Sequence, residues 1–103
     1  MFKKTPTIYH PGEILLNEFL KPVHVTAEQL AQDISIDPIL INQIINKEGD
    51  LDRNVATRLA LYFHTAPTFW INLQSNYDEI QVENLITDKQ LKSQVRLNKT
   101  FSL

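Results

Sequence analysis

The sequence predicts an all-α fold of five helices in one domain. Apolar residues recur at helical spacing from residue 10 to residue 80, whereas the alternation that is typical of β-strands is scarce. Only two glycines are present, and four of the five prolines lie where helices are expected to begin or end. A hydrophobic content of 43% in 103 residues is that of an ordinary soluble globular protein with one small core.

A short N-terminal arm, residues 1–9, is expected to precede the first helix. Pro11 and Glu13 are typical of the first turn of a helix, and Pro22 is expected to end it. The apolar residues between them recur at helical spacing, at Leu15, Leu16, Phe19 and Leu20.

Residues 26–47 predict two short helices joined by a tight turn. Thr26 is expected to cap the first helix, and Asp37–Pro38 is expected to begin the second. Ala31 is small enough for the two helices to cross closely, and Ser35 lies where a residue with positive φ is often needed. Apolar residues form one face of each helix, at positions 27, 30, 31 and 34 and at positions 41, 44 and 45. This is the pattern of a helix-turn-helix, which places its second helix in the major groove of DNA.

Two more helices and a C-terminal extension complete the chain. Asp52 is expected to cap the fourth helix, and Pro67 is expected to begin the fifth. Their apolar stripes are Val55, Ala56, Leu59, Ala60 and Phe63, and then Phe69, Trp70, Leu73, Tyr77 and Ile80. The predicted domain therefore covers residues 10–80. Residues 81–103 are expected to form a helix, an interaction arm or a disordered tail.

Charge is distributed unevenly along the chain. The net charge is −2, and residues 26–58 contain six acidic and three basic side chains. Phosphate contacts supply most of the non-specific affinity for DNA, so this distribution argues against tight DNA binding by a lone subunit. The basic residues of the tail are expected either to be solvated or to contact phosphate or an acidic partner; they are Lys89, Lys92, Arg96 and Lys99.

Composition and spacing argue against several other functions. The chain has no cysteine, which excludes disulfides and cysteine-based zinc sites and fits a reducing cytoplasm. The three histidines lack the helical spacing of a metal pair, so we expect neither a metal nor a cofactor; they are His10, His24 and His64. No Gly-rich phosphate loop or nucleophile constellation is present, so an enzyme is not expected. No apolar run approaches the roughly 20 residues of a membrane span, so a cytoplasmic location is expected.

The outward face of the third helix contains the candidate base contacts. The amides of Asn42 and Gln43 are suited to adenine, and Ile39 has apolar surface for a thymine methyl group. Candidate phosphate contacts are Thr26, Gln29, Asn46, Lys47 and Arg53. The alternative is an ordinary polar helix surface, which the neighbouring acidic residues favour; these are Asp37, Glu48, Asp50 and Asp52.

Two sets of residues are expected to have structural roles. Glu13 and Arg58 are predicted to form an ion pair between the first and fourth helices, the alternative being two solvated charges. Phe69 and Trp70 are adjacent and cannot point the same way. One is expected to fill the core and the other, with Tyr77, to lie in a dimer interface, where aromatic residues are enriched. Core packing of both is the alternative.

Three segments together resemble a known family: HPGEILLNEFL at residues 10–20, the helix-turn-helix, and NVATRLALYFHTAPTFWINLQSNYD at residues 54–78. They are similar to antidote proteins of the HigA (VapI) type, within the phage-repressor-like helix-turn-helix superfamily. The resemblance implies a lambda-repressor-like core of five helices and a homodimer. It also implies neutralisation of a small RelE-like (HigB-like) ribonuclease toxin by direct binding, and repression of the shared operon through a palindromic DNA operator. The alternatives are a toxin-neutralising protein with weak or lost DNA binding and an orphan helix-turn-helix regulator.

Departures from the family pattern are concentrated around the predicted base-contacting helix. Ala27 stands where relatives commonly have glutamine, and Ile39 and Leu40 stand where arginine is frequent. Lys47-Glu48-Gly49 stands where many relatives have glycine followed by basic residues. Each change removes a phosphate or base contact. Any sequence-specific binding is therefore expected to depend on the few side chains that remain on this face.

Overall fold

The computed structural model describes residues 9–96 and residue 98, and the regular structure within them is helical. The first helix, α1, is continuous over residues 11–23 and consists of three segments, Pro11–Ile14, Leu15–Leu20 and Lys21–Val23. The later helices are α2 (Ala27–Ile34), α3 (Pro38–Ile45), α4 (Arg53–Phe63), α5 (Pro67–Ile86) and α6 (Lys89–Gln94). The all-α fold class and the five predicted helices are confirmed. The predicted arm before Tyr9, together with Leu97 and Lys99 of the basic tail, lies outside the described residues.

Side-chain caps begin three of the helices as predicted. Each capping oxygen accepts a hydrogen bond from a backbone N–H in the first turn, which satisfies one of the donors that a helix start leaves open. The three bonds are Gln29 N–H to Thr26 Oγ1 (3.0 Å), Ile39 N–H to Asp37 Oδ1 (2.9 Å) and Val55 N–H to Asp52 Oδ1 (2.9 Å).

The middle of α1, Leu15–Leu20, has the wide turn of a π-helix. Pro22 follows this segment; it has no N–H, and in an ordinary α-helix its ring would clash with the carbonyl group four residues earlier. The wider turn accommodates the ring. The prediction that Pro22 ends the helix is therefore wrong by one residue. The helix includes Val23 and ends at His24, which adopts the left-handed conformation with φ of 59°.

Left-handed residues also end two later helices. Ser35 has φ of 59°, as predicted for the turn of the helix-turn-helix, and His64 ends α4 with φ of 60°. Lys47, just after α3, has φ of 66°. Each such residue costs about 1 kcal/mol relative to glycine, a cost that the surrounding packing must offset.

The core lies where α1 to α5 meet. Its buried apolar residues are Leu15, Leu20, Leu30, Ala31, Ile34, Ile41, Ile44, Leu51, Val55, Ala56, Leu59, Ala60 and Trp70. Trp70 has 0% exposure, so of the two adjacent aromatic residues it is the one that fills the core and not a candidate for the dimer interface. Its neighbour Phe69 is 39% exposed, and Tyr77 is half-buried. The dimer contact predicted for Phe69 and Tyr77 stays a prediction.

The C-terminal end of the described chain is helical but does not contribute to the core. Ile80 is half-buried, whereas every residue from 81 to 96 is exposed. Helix α6 follows directly after α5, and Asp88 caps it by accepting a hydrogen bond from Gln90 N–H at 2.8 Å. The division of the chain after residue 80 stays a prediction.

Candidate nucleic-acid interface

Helices α2 and α3 and the turn between them form a helix-turn-helix. Ala31 is buried where α2 packs against α3, and its carbonyl accepts a hydrogen bond from Ile36 N–H at 3.0 Å. Ile41 and Ile44 are buried on the inner side of α3. The predicted crossing residue, the left-handed turn and the inner apolar face are all confirmed. The opposite side of α3 is therefore free to contact DNA.

The exposed side of α3 presents apolar and amide groups. Ile39 is 65% exposed, and Gln43 is exposed with no partner for its side-chain amide among the described residues. Asn42 is half-buried, and its Nδ2 donates a hydrogen bond to the Pro38 carbonyl oxygen at 3.0 Å. Of the two amides predicted to contact bases, Gln43 is the one free to do so without breaking an existing hydrogen bond.

The predicted phosphate contacts are all exposed: Thr26, Gln29, Asn46, Lys47 and Arg53. The side chains of three of them have intramolecular partners: Thr26 Oγ1 accepts the capping hydrogen bond from Gln29 N–H. Gln29 Nε2 donates to Asp33 Oδ1 at 2.8 Å, and Lys47 Nζ lies 3.8 Å from Glu13 Oε2. An exposed ion pair of this length contributes little stability, so Lys47 is readily available to a phosphate group. The contact of these five residues with DNA stays a prediction.

The predicted ion pair between Glu13 and Arg58 is not formed. Glu13 faces Lys47 instead. Arg58 Nη1 donates to the Ile34 carbonyl oxygen at 2.8 Å, and its Nε donates to Asn54 Oδ1 at 3.0 Å. Ile34 ends α2, where carbonyl groups lack helical partners and the helix dipole favours a cation, so Arg58 binds there.

A second contact ties α4 to α2 beside Arg58. The Tyr62 hydroxyl donates a hydrogen bond to Asp33 Oδ2 at 2.7 Å, which raises the pKa of Tyr62. These contacts surround a shallow pocket of about 330 Å³, lined by Asp33, Ile34, Ser35, Arg58, Leu61 and Tyr62. The side chains of α4 therefore hold the first helix of the helix-turn-helix in place.

The start of α1 packs directly against the end of α3. His10 is 3% exposed, and its Nδ1 accepts a hydrogen bond from Gly12 N–H at 2.9 Å, which caps α1. A Cβ atom on Gly12 would lie 1.8 Å from the Ile44 carbonyl oxygen. Only glycine allows the two backbones to approach so closely. This contact explains why glycine stands at position 12, after the capping residue His10. The sequence pattern alone did not reveal the contact.

Burial disfavours the protonated, charged form of His10. Burial lowers its pKa from 6.5; Lys47 lowers it further, whereas Asp50, Glu13 and a backbone hydrogen bond with Gly49 act in the opposite direction. In the unfolded chain the imidazole binds a proton at higher pH than in the folded protein. Its contribution to stability is therefore complete above about pH 6.5 and is lost as the pH falls through the lowered pKa of the folded state.

We expect the stability of the protein to decrease as the pH is lowered from 7.5 to about 5.5, and His10→Asn to reduce that decrease. Asparagine caps a helix but does not titrate in this range. Urea unfolding at several pH values measures the effect. His24→Asn is the matched control because His24 is exposed and asparagine tolerates its left-handed backbone. An equal pH dependence in wild type and His10→Asn would contradict the assignment.

One residue beside the site was given no structural role on the basis of the sequence. Gln74 is only 8% exposed, and it hydrogen-bonds the loop that follows α3. A signal was present: Gln74 follows Trp70 by four residues and precedes Tyr77 by three, so it lies on the inward stripe of α5. A polar residue in such a stripe predicts a buried, hydrogen-bonded side chain.

The described residues contain neither a candidate metal site nor a candidate membrane span. Within residues 9–96 and 98, no group of three or more His, Cys, Asp and Glu side chains is placed to hold a metal ion. In the same part of the chain, no helix is both long and apolar enough to cross a membrane.

Known proteins similar to this chain include a curated relative, virulence-associated protein I of Dichelobacter nodosus. It is 39% identical over 69 residues, which cover 67% of this chain and 64% of the relative. The chain thus spans just under two thirds of that relative's length. No family model matches the chain.

The crossing of α2 and α3 and the exposed outer side of α3 define this chain as a helix-turn-helix protein. Two similar solved structures are the Pseudomonas aeruginosa antitoxin HigA with the higBA promoter and an addiction module antidote protein of the HigA family from Coxiella burnetii. The first has a TM-score of 0.73 at 31% identity and covers 87% of this chain and 97% of its own. The second has a TM-score of 0.72 at 33% identity and covers 90% and 100%. The chain belongs to the HigA family of addiction-module antidote proteins.

Proposed function

We propose that this protein is the antitoxin of a type II toxin-antitoxin module and acts in the cytoplasm. As a homodimer it represses its own operon by binding an operator, and it neutralises a small RelE-like ribonuclease toxin by direct contact. The observation that carries the DNA-binding half is the exposed side of α3, where Gln43 has no partner among the described residues and Ile39 is 65% exposed. Membership of the HigA family supports both halves of the proposal.

Dimerisation compensates for the weak charge of a single subunit. An α-helix such as α3 is about 10–12 Å across with its side chains, which suits a major groove about 12 Å wide. Two-fold symmetry places two such helices about one DNA turn apart on a palindrome. Binding of the second helix is then intramolecular, so each subunit needs few phosphate contacts of its own.

We expect Gln43→Ala to weaken binding to the operator by about tenfold or more, because a bidentate amide–adenine contact contributes about 1–3 kcal/mol. The change should also reduce the preference for operator over scrambled DNA while leaving the salt dependence unchanged, since no phosphate contact is lost. Fluorescence anisotropy with a duplex taken from the region immediately upstream of the gene measures all three quantities.

Gln90→Ala is the matched control for this experiment. Gln90 is exposed on α6, which follows α5 and lies outside the helix-turn-helix. Operator affinity should be unchanged in this variant. If Gln43→Ala bound the operator as wild type does, α3 would not contact bases through this side chain.

Toxin binding is tested separately from DNA binding. We expect the product of the adjacent reading frame, if it is a small basic protein, to copurify with this chain and to lose its ribonuclease activity in the complex. Because Gln43 is proposed to serve DNA alone, Gln43→Ala should form the same complex. A wild-type protein that neither binds nor inhibits the neighbouring gene product would overturn this half of the proposal.

A second candidate is a toxin-neutralising protein that no longer binds DNA. The observation that favours it is the acidic character of residues 26–58, in which Gln29 and Lys47 are already engaged by carboxylates. Repulsion between those carboxylates and phosphate would weaken any complex with DNA. A tight toxin complex with no operator shift, even at low salt, would select this candidate.

A further inference from the structure

We propose that Gln74 on α5 is a positioning residue for the base-contacting helix α3. It acts through residues 46–52, the loop that connects α3 to α4. The inference rests on the proposed DNA-binding function. Helix α5, which lies outside the helix-turn-helix, thereby helps to set the orientation of the residues that contact DNA.

Gln74 holds this loop with both ends of its side-chain amide. Oε1 accepts a hydrogen bond from Leu51 N–H at 2.8 Å, in a buried position. Nε2 donates to Asp78 Oδ1 at 2.9 Å and, more weakly, to Asp50 Oδ1 at 3.4 Å. The two carboxylates repel each other, and the amide between them offsets that repulsion. Leu51 is itself buried in the core, so the loop is fixed at this point.

The loop is in turn bonded to the residue predicted to contact bases. The backbone carbonyl of Gln43 accepts hydrogen bonds from Glu48 N–H at 2.8 Å and from Gly49 N–H at 3.1 Å. Lys47, the residue before Glu48, has positive φ. Hydrogen bonds therefore connect Gln74, the loop and Gln43 over a short distance, and a displacement of the loop displaces the C-terminal end of α3.

A second contact from α5 supports the same loop. Tyr77, one turn after Gln74, packs edge-on against the ring of His10 with centroids 4.8 Å apart. His10 caps the start of α1, and Glu13 one turn later lies 3.8 Å from Lys47 Nζ in the same loop. Two successive turns of α5 thus restrain the loop, Gln74 directly and Tyr77 through His10.

The main test is Gln74→Met, which preserves the size and the net charge of the side chain but removes its hydrogen bonds. Gln81→Met is the matched control, because Gln81 is exposed on the same helix. Three quantities are compared at a temperature well below unfolding: hydrogen exchange of the Leu51 amide without DNA, affinity for the upstream duplex, and the ratio of operator to scrambled-DNA affinity.

In Gln74→Met we expect the Leu51 amide to exchange at least about tenfold faster. Operator affinity should fall by up to about five- to tenfold, because DNA binding must then restore the orientation of α3 that the buried hydrogen bond maintains in wild type. The operator-to-scrambled ratio should fall with it. The slope of affinity against salt should not change, because no phosphate contact is removed. Gln81→Met should match wild type in all three quantities. Faster exchange with wild-type affinity and discrimination would show a merely structural role and overturn the proposal.

The exchange measurement separates this proposal from the function on which it rests. If wild type bound no DNA, the proposed function would fail, and unchanged Leu51 exchange in Gln74→Met would independently overturn the contact itself. Should Gln74→Met not fold, Gln74→Glu replaces it. That change retains an acceptor for Leu51 but opposes Asp50 and Asp78 with a third carboxylate. Adding Asp50→Asn restores a donor and the wild-type net charge, and we expect it to recover part of the lost affinity. No recovery would overturn the positioning role.

Discussion

Replacing Trp70 with alanine is expected to lower the free energy of unfolding by about 4 kcal/mol, a large part of the total stability of a small domain. The indole is fully buried, and its Nε1–H donates a hydrogen bond to Thr65 Oγ1 at 2.8 Å. Rings of Phe19 and Phe69 lie 4.7 and 5.0 Å from it, centroid to centroid. The substitution removes these contacts and leaves a cavity between α1 and α5. Urea unfolding followed by circular dichroism measures the loss.

Phe69→Ala is the control for the tryptophan substitution. The two residues are adjacent, but Phe69 is 39% exposed. Its removal should cost less than about half as much, because much of its surface is already hydrated. If dimerisation depends on Phe69, this variant should also shift the monomer–dimer equilibrium in analytical ultracentrifugation. Equal losses of stability in the two variants would contradict the assignment of Trp70 as the core aromatic residue.

Gly12→Ala should be the other strongly disruptive change, with an expected loss of about 3 kcal/mol in the free energy of unfolding. The new methyl carbon would lie 1.8 Å from the Ile44 carbonyl oxygen and 2.6 Å from its carbon. Both are backbone atoms, so relief requires α1 to separate from α3. That separation removes part of the favourable packing between α1 and α3. Urea unfolding measures the loss, and operator affinity should decrease in the folded fraction because the end of α3 moves.

The other glycine of the chain provides the matched control. Gly49 does not have positive φ, and an added Cβ would meet the Cβ of Gln43 at 3.2 Å, a close contact that a small shift relieves. Gly49→Ala also restricts the unfolded chain, which offsets part of the strain. We expect a change within about 1 kcal/mol. A loss as large as that of Gly12→Ala would show that glycine content, rather than the contact with Ile44, determines the effect.

Helix starts and stops could be predicted from the sequence because they depend on neighbouring residues. Thr26 caps α2 through an N–H only three residues away, and Asp52 caps α4 in the same way. The positive φ of Ser35 and the inward faces of α2 and α3 follow from local spacing in the same manner. The end of α1 was predicted one residue too early, at Pro22. The π-helical turn that accommodates this proline within the helix leaves no pattern in the sequence.

The candidate interface was only partly predictable. The exposure of Gln43 follows from helical periodicity, so this base candidate was placed on the outward side of α3. Spacing could not show that Asn42 is half-buried and bonded to its own helix, or that Gln29 is bonded to Asp33. Such pairings depend on the conformations of the side chains, which helical spacing alone does not determine.

Local sequence patterns were enough to predict the helices, three of their side-chain caps, the helix-turn-helix and the resemblance to the HigA family. Three features became visible only in the folded protein: which of two adjacent aromatic residues is buried, that Arg58 binds the end of α2 across 24 residues, and that Gln74 holds Leu51 across 23 residues. The physical reason is the range of the interactions. Helix periodicity and capping act within one or two turns, whereas these contacts depend on how distant helices pack against each other. Residues 26–47 specify a helix-turn-helix, but its orientation is set by α1, α4 and α5.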